Sequence, residues 1–335
     1  MSFGLSFWVS IIAVIALVLL AFAGVEGANL HFLFGVIIPY AAVALFILGI
    51  IYRVLKWATI PVPFRIPTTC GQQKSLPWIK RSRLDNPFTS LEVIGRMLLE
   101  VLLFRSLFRN MRTELRAGPR LSYASSKWLW VGALAFHYSF LIILIRHLRL
   151  FIEPIPYLLK TLETLDSFFQ VGAPLLYLTD IVLIGAVTYL FLRRVLIPQM
   201  RYISLPADYF PLFLILSIGI TGVLMRYFFK VDVVGIKGLT MGLINFNPVI
   251  PEGIGVLFYI HLFLVSTLFA YFPFSKLTHM AGVFLSPTRN LANNNRSKRH
   301  INPWNYPVKV HTYEEYEDEF RKKMKDAKLP LEKEV

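Results

Sequence analysis

The sequence predicts an all-α integral membrane protein with six transmembrane helices, and three observations carry that reading. First, 56% of its 335 residues are hydrophobic, and the apolar residues fall in long runs rather than in short amphipathic stretches. Second, six runs, at about 4–24, 31–53, 127–151, 174–196, 208–229 and 252–275, approach or exceed the ~20 residues a helix needs to cross a hydrocarbon core of about 30 Å. Third, the basic residues are distributed unevenly between alternate loops.

Run 1 has no basic leader and no small-residue cleavage signal before a mature domain, so it is read as a retained span. From Arg53 to Lys127 there are 14 Lys or Arg against four acids, Asp85, Glu92, Glu100 and Glu114, whereas the 152–173 loop holds Lys160 against Glu153, Glu163 and Asp166. Positive charge is retained inside, which puts the first loop in the cytoplasm and the second outside. The turn with Arg193, Arg194 and Arg201 then falls inside, as do both termini, in a multi-pass protein of the cytoplasmic membrane.

After span 2, "PVPFRIPTTCGQQKSLPW" is rich in prolines and turn residues and reads as irregular loop. In the segment 91–115, Leu91, Ile94, Leu98, Val101, Leu102 and Phe108 recur at helical spacing with Arg96, Arg105, Arg109 and Arg112 between them, which predicts a cytoplasmic interfacial helix. The membrane domain is placed at 1–280 and a cytoplasmic partner-binding tail at 281–335. In the tail, "NNNRSKRH" and "NPWNYP" read as extended chain and "TYEEYEDEFRKKMKDAKL" as a short charged helix. So little apolar content points to ordering by another subunit.

The net charge of +15 lies on one side of the membrane, which suits anionic lipid or an acidic partner and argues against nucleic acid. Cys70 is the only cysteine, which excludes a cysteine-ligated iron–sulfur cluster, an intrachain disulfide and a C-x-x-C-H haem attachment. A redox centre in this chain is therefore held by histidine or methionine.

Four of the seven histidines fall in or beside two spans: His137 and His147 in span 3, His261 and His279 in span 6 and just past it. The spans are antiparallel, so His147 faces His261 towards the outside and His137 faces His279 towards the cytoplasm. Two cross-helix pairs suit two b-type haems, each held by two neutral imidazoles. At ~1.5 Å per residue the ligands are about 15 Å apart on span 3 and about 27 Å on span 6, a difference that helix tilt, ligands at unequal heights and a kink at Pro273 are available to absorb. A single intramembrane histidine reads equally well as a packing or hydrogen-bonding residue; four at matching depths favour ligation. His31, His300 and His311 fit no pair.

The ten- and eighteen-residue histidine spacings, "FHYSFLIILIRHLRLFIEPIP", "GITGVLMRY", "KLTHMAGVFLSPTRN" and "NPWN" resemble the dihaem nitrate reductase gamma subunit family. Within it they resemble the membrane cytochrome b subunits of the Dsr/Hme electron-transfer complexes of sulfate-reducing organisms, over roughly residues 30–310. The resemblance implies a dihaem four-helix core with menaquinol/menaquinone as substrate. It also implies a cytoplasmic iron–sulfur partner similar to the catalytic subunit of heterodisulfide reductase, beside other membrane and extracytoplasmic subunits, in sulfite/sulfate respiration. Haem ligands by this likeness are His147 with His261 and His137 with His279.

Haem propionates need cations, and Arg146, Arg149 and Arg226 lie at the outer depth as candidates, although snorkelling to the interface explains them too. Asp180 is the lone carboxylate within span 4 and a candidate acceptor for quinol protons, with a structural hydrogen bond as the competing reading; His31 is a second candidate. A quinol pocket is expected between spans 3 and 4. The rival readings are a haem-free membrane anchor and an ion or proton transporter.

Overall fold

The structure, a computed structural model, describes residues 3–60, 71–118, 120–167, 175–295, 297–298 and 310–333. Cys70, Pro174, His300, the "NPWNYP" segment and most of the loop after span 2 lie outside the described residues.

Long apolar helices run back and forth across the molecule. They are α1 (Phe3–Phe22), α2 (Ile38–Ala58), α5 (Lys127–His147), α7 (Leu178–Leu196), α9 (Pro206–Val223) and α11 (Val256–Tyr271). With their terminal turns, five segments are long and apolar enough to cross a membrane: Gly4–Gly27, Leu33–Ala58, Lys127–Leu150, Pro206–Phe228 and Val256–Phe274. The sixth expected span, α7, has 19 residues, about 28 Å at ~1.5 Å each. Asp180 near its start and Arg193 and Arg194 near its end leave it only 12 consecutive uncharged residues, 181–192, fewer than in any of the other five.

α5 packs on α7, α7 on α9, α9 on α11 and α11 on α2, with α1 laid over α9 and α11. The main core lies among α1, α2, α9 and α11 and includes Val14, Phe34, Leu214, Tyr259 and Leu264; a smaller one joins Leu183, Val187 and Ile215 to Phe136, Phe140 and Ile143. Trp8, Ile12, Leu48, Tyr52, Leu144 and many other large apolar side chains are exposed. A water-soluble protein does not leave so many uncovered, and in a membrane they meet lipid.

One end of the bundle is built mainly from the chain before α5 and after α11. Here α3 (Ser90–Leu103) starts at a capping box in which Thr89 accepts from the Glu92 backbone. Glu92 also holds Arg81 through two hydrogen bonds of 2.9 and 2.7 Å. The helix expected over 91–115 does not continue: Phe104 is left-handed (φ 48°), and a four-residue helix, α4 (Arg105–Phe108), follows. Asp85 accepts from Arg105 (2.7 Å) and from Arg109 and so holds the new direction. Residues Met111–Arg116 and Arg120–Ser125 then form an antiparallel hairpin, β1–β2, turning at Gly118. Its alternation puts Met111, Leu115, Leu121 and Tyr123 on one face and Arg112, Arg116 and Arg120 on the other, and pairing across two strands overrides the helical spacing of the leucines and arginines.

At the same end α7 and α9 are joined by α8 (Pro198–Ile203), and α11 is followed by α12 (His279–Leu285) and α13 (Pro287–Asn290). Part of the expected tail is bound within the chain: Asn293 donates from its backbone to Pro87 O and from Nδ2 to Asn86 Oδ1, and both Asn86 and Asn293 are buried. The charged helix appears as α14 (Tyr313–Asp326). The opposite end holds two helices that the runs of apolar residues did not announce, α6 (Tyr157–Asp166) and the apolar α10 (Val233–Ile244). With 12 residues, α10 is too short to span.

Candidate functional site

Of the four span-associated histidines, His137 and His279 meet ring to ring, and His147 and His261 stand towards the other ends of α5 and α11. α11 stops at Tyr271, ten residues after His261, the same helical rise that separates His137 from His147 on α5. Pro273 lies in a short turn (Phe272–Phe274), Ser275 is extended (ψ 178°), and a second short turn leads into α12, whose first residue is His279. The excess eight residues are thus spent on folding under the bundle rather than on height. The His137 and His279 rings lie edge to face with centroids 5.9 Å apart, and Phe104 closes on His137 at 4.9 Å. At the other end His147 closes α5 and His261 lies in the second turn of α11, beside Thr221 of α9.

Each ring is oriented by one nitrogen. His137 Nδ1 donates to Ala133 O (2.7 Å), His147 Nδ1 to Ile143 O (2.7 Å) and His279 Nδ1 to Lys276 O (2.9 Å). His261 Nδ1 shares a hydrogen bond with Thr221 Oγ1 (2.8 Å), and with the Thr221 hydroxyl donating to Ser217 O (2.8 Å) the imidazole is the donor to Thr221. A carbonyl only accepts, so on His137, His147 and His279 the proton sits on Nδ1 and the Nε2 lone pair is left for a metal, the arrangement that orients metal-ligating histidines.

This donor set fits haem. Metal–imidazole bonds of about 2 Å on each side put axial rings roughly 6 Å apart between centres, which is the spacing of His137 and His279. None of the four is sealed in the core: His147 and His279 are exposed, and His137 and His261 are half-buried. α5 packs chiefly on α7, and α11 on α9 and α2. Among the described residues there is no group of three or more His, Cys, Asp or Glu that would cage a bare ion.

Beside His147 the expected cations and carboxylate form one network. Arg146 is 7% exposed and lies between two acids, Asp180 (Nη2 to Oδ1, 2.5 Å) and Asp166 (Nε to Oδ2, 3.1 Å). Asp166 also accepts from the Thr179 backbone (3.0 Å) and hydroxyl (2.6 Å) and so ties α6 to the start of α7. The second oxygen of Asp180 accepts from the Tyr227 hydroxyl (3.0 Å). Both Asp180 oxygens are therefore engaged. Arg149 pairs with Glu163 (3.1 Å), while Arg226 donates to Leu175 O (3.1 Å). The Tyr177 ring lies between two guanidinium groups, Arg146 at 3.7 Å and Arg226 at 4.1 Å. A cavity of about 420 Å³ opens here, lined by Arg149, Lys160, Glu163 and Arg226 among others.

His31 belongs to the same end of the bundle. Its ring meets Tyr259, two residues before His261, at 5.2 Å. His311 is exposed at the start of α14, 4.0 Å from Glu315. The linear reading missed Thr221, Asp166, Phe104 and Tyr259. Thr221 stands between the glycines of "GITGV", its only local signal; the other three carry none.

Residues 97–294 match the family described as nitrate reductase gamma subunit. The chain is 48% identical over 279 residues to the "Hdr-like menaquinol oxidoreductase cytochrome b-like subunit" of Archaeoglobus fulgidus, covering 81% of this chain and 83% of that protein. To the subunit of the same name from Archaeoglobus profundus it is 43% identical over 274 residues, covering 80% and 81%. The stretch 97–294 contains both histidine pairs, and by this match the chain belongs to the nitrate reductase gamma subunit family.

Proposed function

We propose that the chain is a dihaem b membrane subunit that takes electrons from menaquinol and passes them through the bundle to a cytoplasmic iron–sulfur protein. The observation that carries the reading is the pair of cross-helix histidine couples, each ring with Nδ1 engaged and Nε2 free. The names of the two Archaeoglobus relatives support menaquinol as the reductant.

His147 with His261 and His137 with His279 would hold the two haems, the two ligands on α5 being about 15 Å apart along the helix. Bound there, haem accepts and releases one electron at a time, which divides the two-electron chemistry of a quinol into single transfers. Thr221 and the carbonyls three or four residues back fix the ring planes and strengthen the Nε2 donors. Arg149 and Arg226, which line the 420 Å³ cavity, are the cations offered to propionates. Arg146, compensated by Asp166 and Asp180, holds α5, α6 and α7 together.

α7 is the sixth span, its charges at its two ends. By the charge asymmetry of the loops, α3, β1–β2, α12 and α14 face the cytoplasm. The haem of His137 and His279 is then next to the partner, and quinol is oxidised at the opposite end. Because both Asp180 oxygens already accept hydrogen bonds, proton acceptance passes to His31. The partner docks on the basic face and α14.

A pyridine haemochrome count and a reduced-minus-oxidised spectrum of the purified chain test this. Two haems per chain are expected, falling to one, the same one, in His147→Ala and His261→Ala, and to the other one in His137→Ala and His279→Ala. A colourless chain that still binds a partner would make it an anchor. Joint loss on replacing His137 or His261 would overturn the pairing.

A further inference from the structure

Tyr259 is fully buried on α11, and its hydroxyl has no hydrogen-bond partner among the described residues. Buried polar groups are rarely left unpaired, and an unpaired one calls for an occupant. The ring packs against His31 (5.2 Å, interplanar angle 78°) and against Gly35. A Cβ on Gly35 would come 3.3 Å from Tyr259 Cε1 and 2.9 Å from Ile250 Cδ1, so the absence of a side chain there is what seats the ring. His31 is half-buried just before α2, and its neighbours Leu30 and Phe32 are exposed. In a membrane these two side chains open onto lipid.

Two residues on a helix differ by about 200° in direction, so Tyr259 points away from the side of α11 that carries His261. A hydroxyl donor and an imidazole therefore stand together across one helix from the proposed haem ligand, at the lipid-facing junction of α2 and α11.

We propose that His31 and Tyr259 form the head-group site for menaquinone. It is reached from the bilayer past Leu30 and Phe32, the Tyr259 hydroxyl donates a hydrogen bond to a quinone oxygen, and the His31 ring pairs with the same oxygen. The inference rests on the functional reading above and moves the quinone from the α5–α7 side, where Asp180 is already engaged, to the α2–α11 side.

The test uses the full-length chain in lipid nanodiscs with endogenous quinone extracted. Menaquinone binding is read by displacement of a fluorescent quinone-site inhibitor, and haem reduction by a soluble menaquinol analogue is followed in a stopped-flow spectrometer. Tyr259→Phe should weaken binding about tenfold, the effect of one lost hydrogen bond. His31→Gln should slow haem reduction at least as much, with the dithionite-reduced spectrum and haem count of both variants unchanged. A photoreactive azido-menaquinone should label the peptides around His31 and Tyr259 in the unaltered chain, a readout independent of any variant's folding. Wild-type haems that the analogue does not reduce would refute the functional reading itself. Wild-type haems that it does reduce, with binding unaltered in both variants or label found only on α5 and α7, would overturn this site alone.

Discussion

Replacing Gly49 by alanine tests whether α2 sets the height of His279. A Cβ at position 49 would lie 2.6 Å from Pro273 Cβ and 2.8 Å from its Cγ. Ordinary carbon contacts are about 3.5–4.0 Å, so the helices must separate by about 1 Å. Neither side gives easily, because one is helix backbone and the other a ring that is itself buried. The Pro273 carbonyl also accepts from Arg53 Nε (3.0 Å), and Trp57 lies against Gly282 in α12. α2 therefore grips the chain on both sides of His279. Overpacking of this size costs ~1–3 kcal/mol. Directed into the turn before His279, that strain weakens haem binding to the His137/His279 pair by up to about 5- to 150-fold. The His147/His261 pair is held by α5, α9 and the first turns of α11 and keeps its haem. Haem per chain, measured by pyridine haemochrome with a potentiometric titration that resolves two components, should fall towards one, with a single component lost. Two haems with unaltered potentials in Gly49→Ala and in the larger Gly49→Val would refute the argument. Equal loss of both components would mean general unfolding instead.

Thr221→Val removes the acceptor for His261 Nδ1 and makes that imidazole a poorer donor to ferric iron. The potential of the His147/His261 haem should rise by about 40 mV, equivalent to ~1 kcal/mol for one electron, and a shift confined to the other haem would contradict the pairing. Burial pushes the Asp85 carboxyl up, but hydrogen bonds from Arg105, Arg109 and Ser82 and the charge of Arg105 outweigh it and hold the group below the usual range. Its contribution to the α3–α4 junction is therefore complete above the unfolded value of about 3.9 and fades as pH falls through the depressed folded one. Asp85→Asn should speed hydrogen exchange across residues 90–110 at neutral pH, the gap to wild type closing in strong acid; equal exchange at neutral pH would assign the junction to Glu92 and Glu100 alone. Truncation after Lys298 keeps the Asn86–Asn293 contact and both histidine pairs, so haem content should stay at the full-length value while the iron–sulfur partner co-purifies poorly. Undiminished co-purification would place docking on the basic loop and hairpin.

Class, the rough positions of the apolar helices and the nearness of His137 to His279 were legible along the chain. Hydrophobic runs, loop charge and residue spacing are local quantities, and a bilayer restricts the polar backbone to helices that it can satisfy internally. The ten-residue and eighteen-residue histidine spacings suggested two pairs but disagreed in height. Tertiary structure resolved that disagreement by ending α11 ten residues after His261 and turning the chain at Pro273, because α2 packs against that turn. Polar partners across helices were not legible. Whether Arg146 meets a haem propionate or Asp166 and Asp180, and whether Tyr259 faces His31 or His261, depends on the rotation of each helix about its axis. That rotation is set by the packing of all the helices at once, and no single segment encodes it. The hairpin escaped for the same reason: Leu115 and Arg112 sit at spacings a helix also allows, and only the pairing of Met111–Arg116 with Arg120–Ser125 decides between the two.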